Sequence, residues 1–346
     1  MTEWGTAPVR VRVPATSANL GPGFDALGLA LSLHDEIEAA VTPSGLSIEV
    51  SGEGAADVAG AGEKHLVVRA MRAAFDALGG GQPPGLALRC ANRIPHGRGL
   101  GSSAAAIVAG VLAARALAGA GTRPGDALPL ASELEGHPDN VAPCLYGGLT
   151  VAWLSRGDTG RGDAGHGETG GGDAGHGDTG RGGLPGGRPP GNDRVSRAVK
   201  LRPLAEITPV AIVAPAPVST GVARGLLPET VPHADAARNA GRAALLVAAL
   251  TARPEALLDA TEDWLHQDYR APAMPATRDL IGRLRAAGLP AVVSGAGPSV
   301  LALLVSRRGL DRLDSIVKET GIEWRINPLD VERQGASVTP GVPGAR

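Results

Sequence analysis

The chain has 346 residues, 43% of them hydrophobic and 20% charged, which is enough to bury a core and too apolar for a wholly disordered polymer. Lys and Arg total 33 against 35 Asp and Glu, so no basic excess exists to release counterions from nucleic acid. Two cysteines exclude a disulfide framework or a cysteine zinc site, and no run approaches the ~18 apolar residues of a membrane span. The N-terminal MTEWGTAPVRVRVP lacks the apolar stretch of a secretory signal, so the expected location is the cytoplasm, with no membrane or nucleic-acid partner.

Along the chain, Val9-Arg10-Val11-Arg12-Val13 alternates with period two, as a half-buried strand does. Residues 46–50, 86–90, 149–154 and 210–213 read as further strands. Residues 64–78 and 103–118 are rich in helix formers without an internal proline. Residues 156–193 break this pattern with 16 glycines in 38 positions, and GDAGHGETG at 162–170 recurs as GDAGHGDTG at 172–180. Such a segment buries too little to offset its ordering entropy, and it reads as a disordered, solvated insertion. Its His166 and His176 are metal-type ligands in principle, but composition gives them no fixed partner. Beyond it, helices are expected near 235–251, 254–267, 276–287 and 309–320, with a strand-turn-strand at 291–305 and a loose tail after about Val331. Strands and helices mix without strict alternation, which indicates an α+β fold.

Four segments carry chemistry. In Ile94-Pro95-His96-Gly97-Arg98-Gly99-Leu100-Gly101-Ser102-Ser103-Ala104-Ala105, the glycines allow tight turns and close approach of a ligand to the backbone. Ser102 and Ser103 stand where a helix N-cap belongs, and unpaired N–H groups there suit phosphate. The segment is neither a Walker loop nor a dinucleotide fingerprint, and an ordinary capped helix after a glycine turn is the lesser alternative to a phosphate site. Pro14 to Asp25 ends the first strand in a polar turn, where Asn19 and Asp25 either meet a ligand or organise the turn. Glu133-Leu-Glu-Gly-His-Pro-Asp-Asn140 lacks a two-histidine zinc spacing, so magnesium through Glu133 or Glu135 is the better metal reading. Ser294-Gly-Ala-Gly-Pro-Ser299 alone is a hairpin turn.

In this order the four segments resemble the GHMP small-molecule kinases. PATSANLGPGFDALGLAL (14–31) is similar to the opening motif of the family's homoserine-phosphorylating branch, PHGRGLGSSAAA (95–106) to its phosphate loop, and SGAGPS (294–299) to its third motif. EGHPDN (135–140) resembles a shortened form of the family's catalytic loop. The resemblance spans roughly 9–330. It implies a nucleotide-binding GHMP domain over 1–200, a ferredoxin-like α/β sandwich over 201–332, a flexible tail at 333–346, and a homodimer.

It further implies ATP as phosphoryl donor, Mg²⁺ and L-homoserine. Triphosphate would lie on Pro95 through Ala105, with Ser102 or Ser103 and Glu135 reaching the metal. Asn19 and Asp25 would meet the substrate ammonium. Thr220, Arg224 and Arg270 would serve the carboxylate side, and two guanidiniums suit bidentate capture of a carboxylate. His137 and Asn140 would hold the reacting hydroxyl, with Arg224 stabilising charge. Asn140 stands near a position where several relatives carry an aspartate base; an amide cannot play that part, so positioning in line is the implied mechanism, with His137 as base the alternative. A relative acting on a sugar or isoprenoid alcohol would give no reason for the arginine pair, and a non-catalytic relative would be expected to lack the glycine loop or Asn140.

Overall fold

The computed structural model describes residues 4, 5, 7–156 and 194–341, so most of the glycine-rich repeat, including His166 and His176, lies outside the described residues. Two sheets organise the chain. The first holds seven strands: β1 (Val9–Leu20), β2 (Gly23–Thr42), β3 (Gly45–Gly52), β4 (Gly85–Asn92), β5 (Leu149–Arg156), β6 (Arg194–Leu201) and β11 (Ser337–Pro340). The second holds four antiparallel strands, β7 (Thr208–Val213), β8 (Ala291–Val293), β9 (Val300–Leu304) and β10 (Arg325–Pro328), in the order β10-β7-β9-β8.

The alternation at 9–13 is a strand as expected, but β1 continues through the polar motif to Leu20, and β2 returns over 20 residues. One half of β2 pairs with β5 and the other with β4, so the opening motif forms a long hairpin at the centre of the molecule. Its turn needs left-handed backbone at Asn19 (φ 53°), Gly21 (φ 49°) and Asp25 (φ 51°), and side chains at 19 and 25 tolerate this as asparagine and aspartate best do.

The helices are α1 (Ala55–Val58), α2 (Leu66–Leu78), α3 (Ser102–Leu117), α4 (Pro124–Glu135), α5 (Val141–Tyr146), α6 (Thr220–Gly225), α7 (His233–Thr251), α8 (Leu257–Ala260), α9 (Gln267–Arg270), α10 (Pro275–Ala286) and α11 (Arg307–Glu319). Eleven of the sixteen residues of α3 are buried, because it lies inside the first layer against β1 and α2. A side chain at Gly110 would fall 2.5 Å from the Val67 carbonyl oxygen, so glycine there sets how closely α2 and α3 approach. Beneath the second sheet, Leu280, Leu284, Leu313 and Val317 of α10 and α11 bury against Val210, Ile212, Val300 and Ala302.

Two expectations are corrected. The helix expected over 254–267 is broken into a 3₁₀ turn, α8 and α9, because the Asp263 carboxylate accepts the N–H groups of Leu265, His266 and Gln267 and starts a new helix there. The segment after Val331 is not loose throughout: Ser337–Pro340 pairs antiparallel with Val9–Arg12, and Glu332 bonds His34 at 2.8 Å. Among the described residues no helix is long and apolar enough to cross a membrane.

Candidate active site

The chemistry-bearing segments converge on a cavity of about 130 Å³ between the two sheets. Asn19, Gly97, Gly99, Gly101, Ser102, Ser103, Glu135, His137, Asn140, Thr220, Arg224 and Arg270 line it, with Gly295 and Ala296. Of the residues singled out in the sequence, Pro95, Leu100, Ala104 and Ala105 are instead buried as the loop's support.

The glycine loop has its shape for reasons visible in its neighbours. Gly97, Gly99 and Gly101 have φ of 65°, 74° and 70°. A side chain at Gly99 would fall 2.0 Å from the Ser294 carbonyl oxygen, so the SGAGPS turn lies directly behind the loop. Ser294 donates its hydroxyl hydrogen to the Gly99 carbonyl oxygen (2.7 Å), its oxygen lies 2.8 Å from Ser17 Oγ, and the Gly295 N–H bonds Ala18 (3.0 Å). That turn is therefore a clamp on two other motifs rather than a plain hairpin.

Gly101, not either serine, is the N-cap of α3, and the serines are the first two helical residues. No side chain caps this end, which leaves first-turn N–H groups and the positive helix dipole facing the cavity. Arg98 turns away: it donates to the carbonyl oxygens of Ala214 (2.8 Å), His96 (2.9 Å) and Pro215 (2.8 Å), tying the loop to the second sheet's layer. His96 stands against Gly54, whose missing side chain makes room for the imidazole.

Opposite α3 stands the EGHPDN loop. Glu135 accepts the Ser103 hydroxyl at 2.8 Å, whereas Glu133 is exposed and lines a different cleft. Burial pushes the Glu135 carboxyl above its ordinary range, against the pull of Ser103 and His137. Burial would lower His137, but its Nδ1 bonds to the Asp139 carboxylate and Glu135 lies nearby, and together these hold the imidazole above its ordinary value. Asp139 is fully buried; one oxygen takes His137 and the Asn140 N–H (3.0 Å), and the other finds no partner among the described residues. Asn140 Oδ1 accepts the Thr16 hydroxyl at 2.8 Å, which turns its amide N–H₂ toward the cavity. Thr16 and Asp139 were not singled out in the sequence, although both lie inside recognised motifs.

The arginines differ. Arg224 is part-exposed and pairs with Asp25 at 3.0 Å, while Asp25 N–H bonds Asn19 Oδ1 at 2.8 Å. Asn19 therefore presents its amide N–H₂, and Asp25 and Arg224 occupy each other. Arg270 is 0% exposed. Its Nη1 donates to His266 Nδ1 (3.2 Å) and the Gly295 carbonyl oxygen (3.3 Å), while Nε and Nη2 have no hydrogen-bond partner among the described residues. Burial, with Arg224 nearby, lowers its pKa. A buried guanidinium with an unpartnered Nε–Nη2 edge can donate two parallel hydrogen bonds to a planar anion.

Comparison with known proteins gives the family. The GHMP kinases N terminal domain matches residues 65–148 and the GHMP kinases C terminal domain residues 242–322. The homoserine kinase of Streptomyces coelicolor is 52% identical over 337 residues, covering 96% of this chain and 95% of its own. That of Clavibacter michiganensis is 47% identical, covering 95% and 93%. Among solved structures, homoserine kinase from Cytophaga hutchinsonii has a TM-score of 0.74 and 27% identity, covering 98% of this chain and 99% of its own. Mevalonate kinase from L. major has a TM-score of 0.63 at 14% identity and shares the fold. The chain belongs to the GHMP kinases, an ATP-using transferase family. Its activity within that family is that of the homoserine kinases, the ATP-dependent phosphorylation of L-homoserine to O-phospho-L-homoserine in threonine biosynthesis.

Proposed function

We propose that this chain phosphorylates L-homoserine by positioning and electrostatics, without a carboxylate base, and that Arg270 holds the substrate carboxylate. The observation that carries this reading is the buried Nε–Nη2 edge of Arg270, partnerless among the described residues and lining the same cavity as the glycine loop. An anion there satisfies two orphan donors and neutralises a desolvated charge. Asp25 would take the ammonium, exchanging its Arg224 partner for substrate, and the freed Arg224, beside Thr220 on the cavity wall, would face the transferring phosphoryl.

At the hydroxyl end, Asn140 offers amide donors because Thr16 occupies its oxygen, and the Asp139 carboxylate fixes the His137 ring by taking its Nδ1. An amide cannot accept a proton, and His137 would hold the hydroxyl rather than take its proton. The homoserine oxygen then bonds the γ-phosphorus as its bond to the bridging oxygen of ADP breaks, and the hydroxyl proton passes to the phosphoryl oxygens. A loose transition state makes little demand for a strong base. The backbone N–H groups of Gly101 and the start of α3 would cradle the phosphates.

Ser103 and Glu135 supply a hydroxyl and a carboxylate oxygen at the mouth of α3, the hard donors that suit Mg²⁺, whose other ligands would be nucleotide phosphates and water. Bound there, the ion would offset charge on the triphosphate. A homodimer acting in the cytoplasm is the assembly and location that the family resemblance supports.

A coupled ADP-release assay comparing homoserine with 4-hydroxybutan-1-amine tests the reading. It requires kcat/KM for homoserine to exceed that for the amine at least about tenfold, the worth of one charge-assisted contact. Equal use of the two would remove the carboxylate grip.

A further inference from the structure

His266 lies outside the cavity and outside the motifs, yet it touches both ends of the substrate site. It is 0% exposed. Its Nε2 lies 2.7 Å from the carbonyl oxygen of Gly21, and its Nδ1 lies 3.2 Å from Nη1 of Arg270. A carbonyl oxygen can only accept and a guanidinium can only donate, so the proton sits on Nε2 and Nδ1 offers a lone pair. One neutral tautomer satisfies both partners. Phe24 stacks on the imidazole at 5.2 Å, and the Arg270 guanidinium carbon lies 5.3 Å from the centre of the Phe24 ring. The backbone under His266 is pinned as well, since Asp263 accepts its N–H at 3.0 Å and Gln267 accepts the Val293 N–H at 2.6 Å.

Gly21 belongs to the β1–β2 turn that presents Asn19 and Asp25. We propose that His266 is a positioning residue for substrate recognition: by holding the Gly21 turn and Arg270 together, it fixes the distance between the two charged ends of an α-amino acid. This rests on the reading of Arg270 as the carboxylate grip. A buried guanidinium can aim its Nε–Nη2 edge only if its opposite end is anchored, and His266 Nδ1 with the Gly295 carbonyl is that anchor. A protonated imidazole would set N–H against N–H beside a second cation. Burial favours the neutral ring here, although Asp263 (3.6 Å from Nε2) and Asp25 pull the other way and Arg270 assists.

The test compares His266→Ala, His266→Asn, Arg270→Ala and the His266→Ala/Arg270→Ala pair, each assayed with homoserine and with 4-hydroxybutan-1-amine. His266→Ala should raise KM for homoserine about tenfold and move KM for ATP less than about twofold, so that the preference for homoserine over the amine collapses. His266→Asn, whose amide oxygen can stand near the Nδ1 position, should recover most of that preference. In the double variant the alanine at 266 should add less than about twofold to the loss from Arg270→Ala, because both remove one interaction. Equal losses for homoserine and the amine, or multiplying effects in the double variant, would make His266 a fold residue only. Loss of preference in Arg270→Ala but not in His266→Ala overturns this inference alone; an unchanged preference in Arg270→Ala overturns the carboxylate reading beneath it. Should His266→Ala fail to fold, histidine ¹⁵N spectra of the unmodified protein decide: the account requires an Nε2–H tautomer whose Nδ1 signal moves on adding homoserine but not the amine, and an Nδ1–H tautomer refutes it.

Discussion

Thr16 Oγ1 and Asn140 Oδ1 lie 2.8 Å apart, joining the opening motif to the HPDN loop across 124 residues of sequence. The bond is buried, and it decides which end of the Asn140 amide faces the cavity. Thr16→Val keeps the shape but leaves that oxygen without its donor, at a cost of ~1–3 kcal/mol, and frees the amide to turn over. A fall in kcat of at least about tenfold is expected, with a much smaller change in KM for ATP, while Thr16→Ser should stay near the parent. Steady-state kinetics on the two variants check this.

Gly101 is enclosed by the same pair. A side chain there would fall 2.0 Å from Thr16 Oγ1 and 3.2 Å from Asn140 Oδ1, and its φ of 70° is left-handed. Gly101→Ala is therefore expected to weaken ATP binding by at least about tenfold in calorimetry, with a loss of ~1–2 kcal/mol in stability from the backbone alone. Unchanged ATP affinity would separate the loop from the nucleotide.

Glu135 and Glu133 should behave differently toward Mg²⁺. Only Glu135 meets a hydroxyl of α3 on the cavity wall. Glu135→Gln should raise the Mg²⁺ concentration needed for half-maximal rate at least about tenfold, because a neutral amide replaces a charged hard ligand. Glu133→Gln should leave it unchanged in a magnesium titration of initial rates.

The C-terminal segment gives a pH signature. Arg12 donates to His34 Nδ1 at 2.9 Å, and His34 Nε2 donates to Glu332 at 2.8 Å. Burial, with Arg12, lowers the imidazole below its ordinary value despite the carboxylate. Burial opposes the Glu332 charge, but the N–H groups of Gln334 and His34 outweigh it and hold the carboxyl below its ordinary range. A depressed carboxyl stabilises the fold above its unfolded pKa and loses that contribution as pH falls through the folded one. Glu332→Gln should lower Tm by a few degrees at neutral pH, since ~1 kcal/mol moves a domain of this size by roughly 2–4 °C. The gap should close in acid melts below the usual carboxylate range.

Sequence made the motif-bearing parts legible because their constraints are local. Gly97, Gly99 and Gly101 announce a turned backbone, and the run 103–118 announces a helix. β2 was missed because Asp25 and His34-Asp35-Glu36 interrupt its apolar pattern, and its strand character comes from two different partners, β4 and β5. β11 has four residues and no pattern of its own; it exists because β1 offers an edge. Among the site residues, chemistry was readable and pairing was not. Arg270 reads as a surface charge until burial strips it of water, and nothing local to Asp25 or Arg224 indicates that they meet each other.

The carboxylate grip of Arg270 is the centre of the account, and one ratio measures it: kcat/KM for homoserine over kcat/KM for 4-hydroxybutan-1-amine, in the parent and in Arg270→Ala. Losing a charge-assisted pair costs ~1.5–3 kcal/mol, so the variant's homoserine value should fall at least about tenfold while its amine value changes little, and the ratio should approach one. Arg270→Lys should recover only part of it, keeping charge but losing the two-pronged edge. Parallel losses on both substrates, with the ratio unchanged, would contradict the assignment.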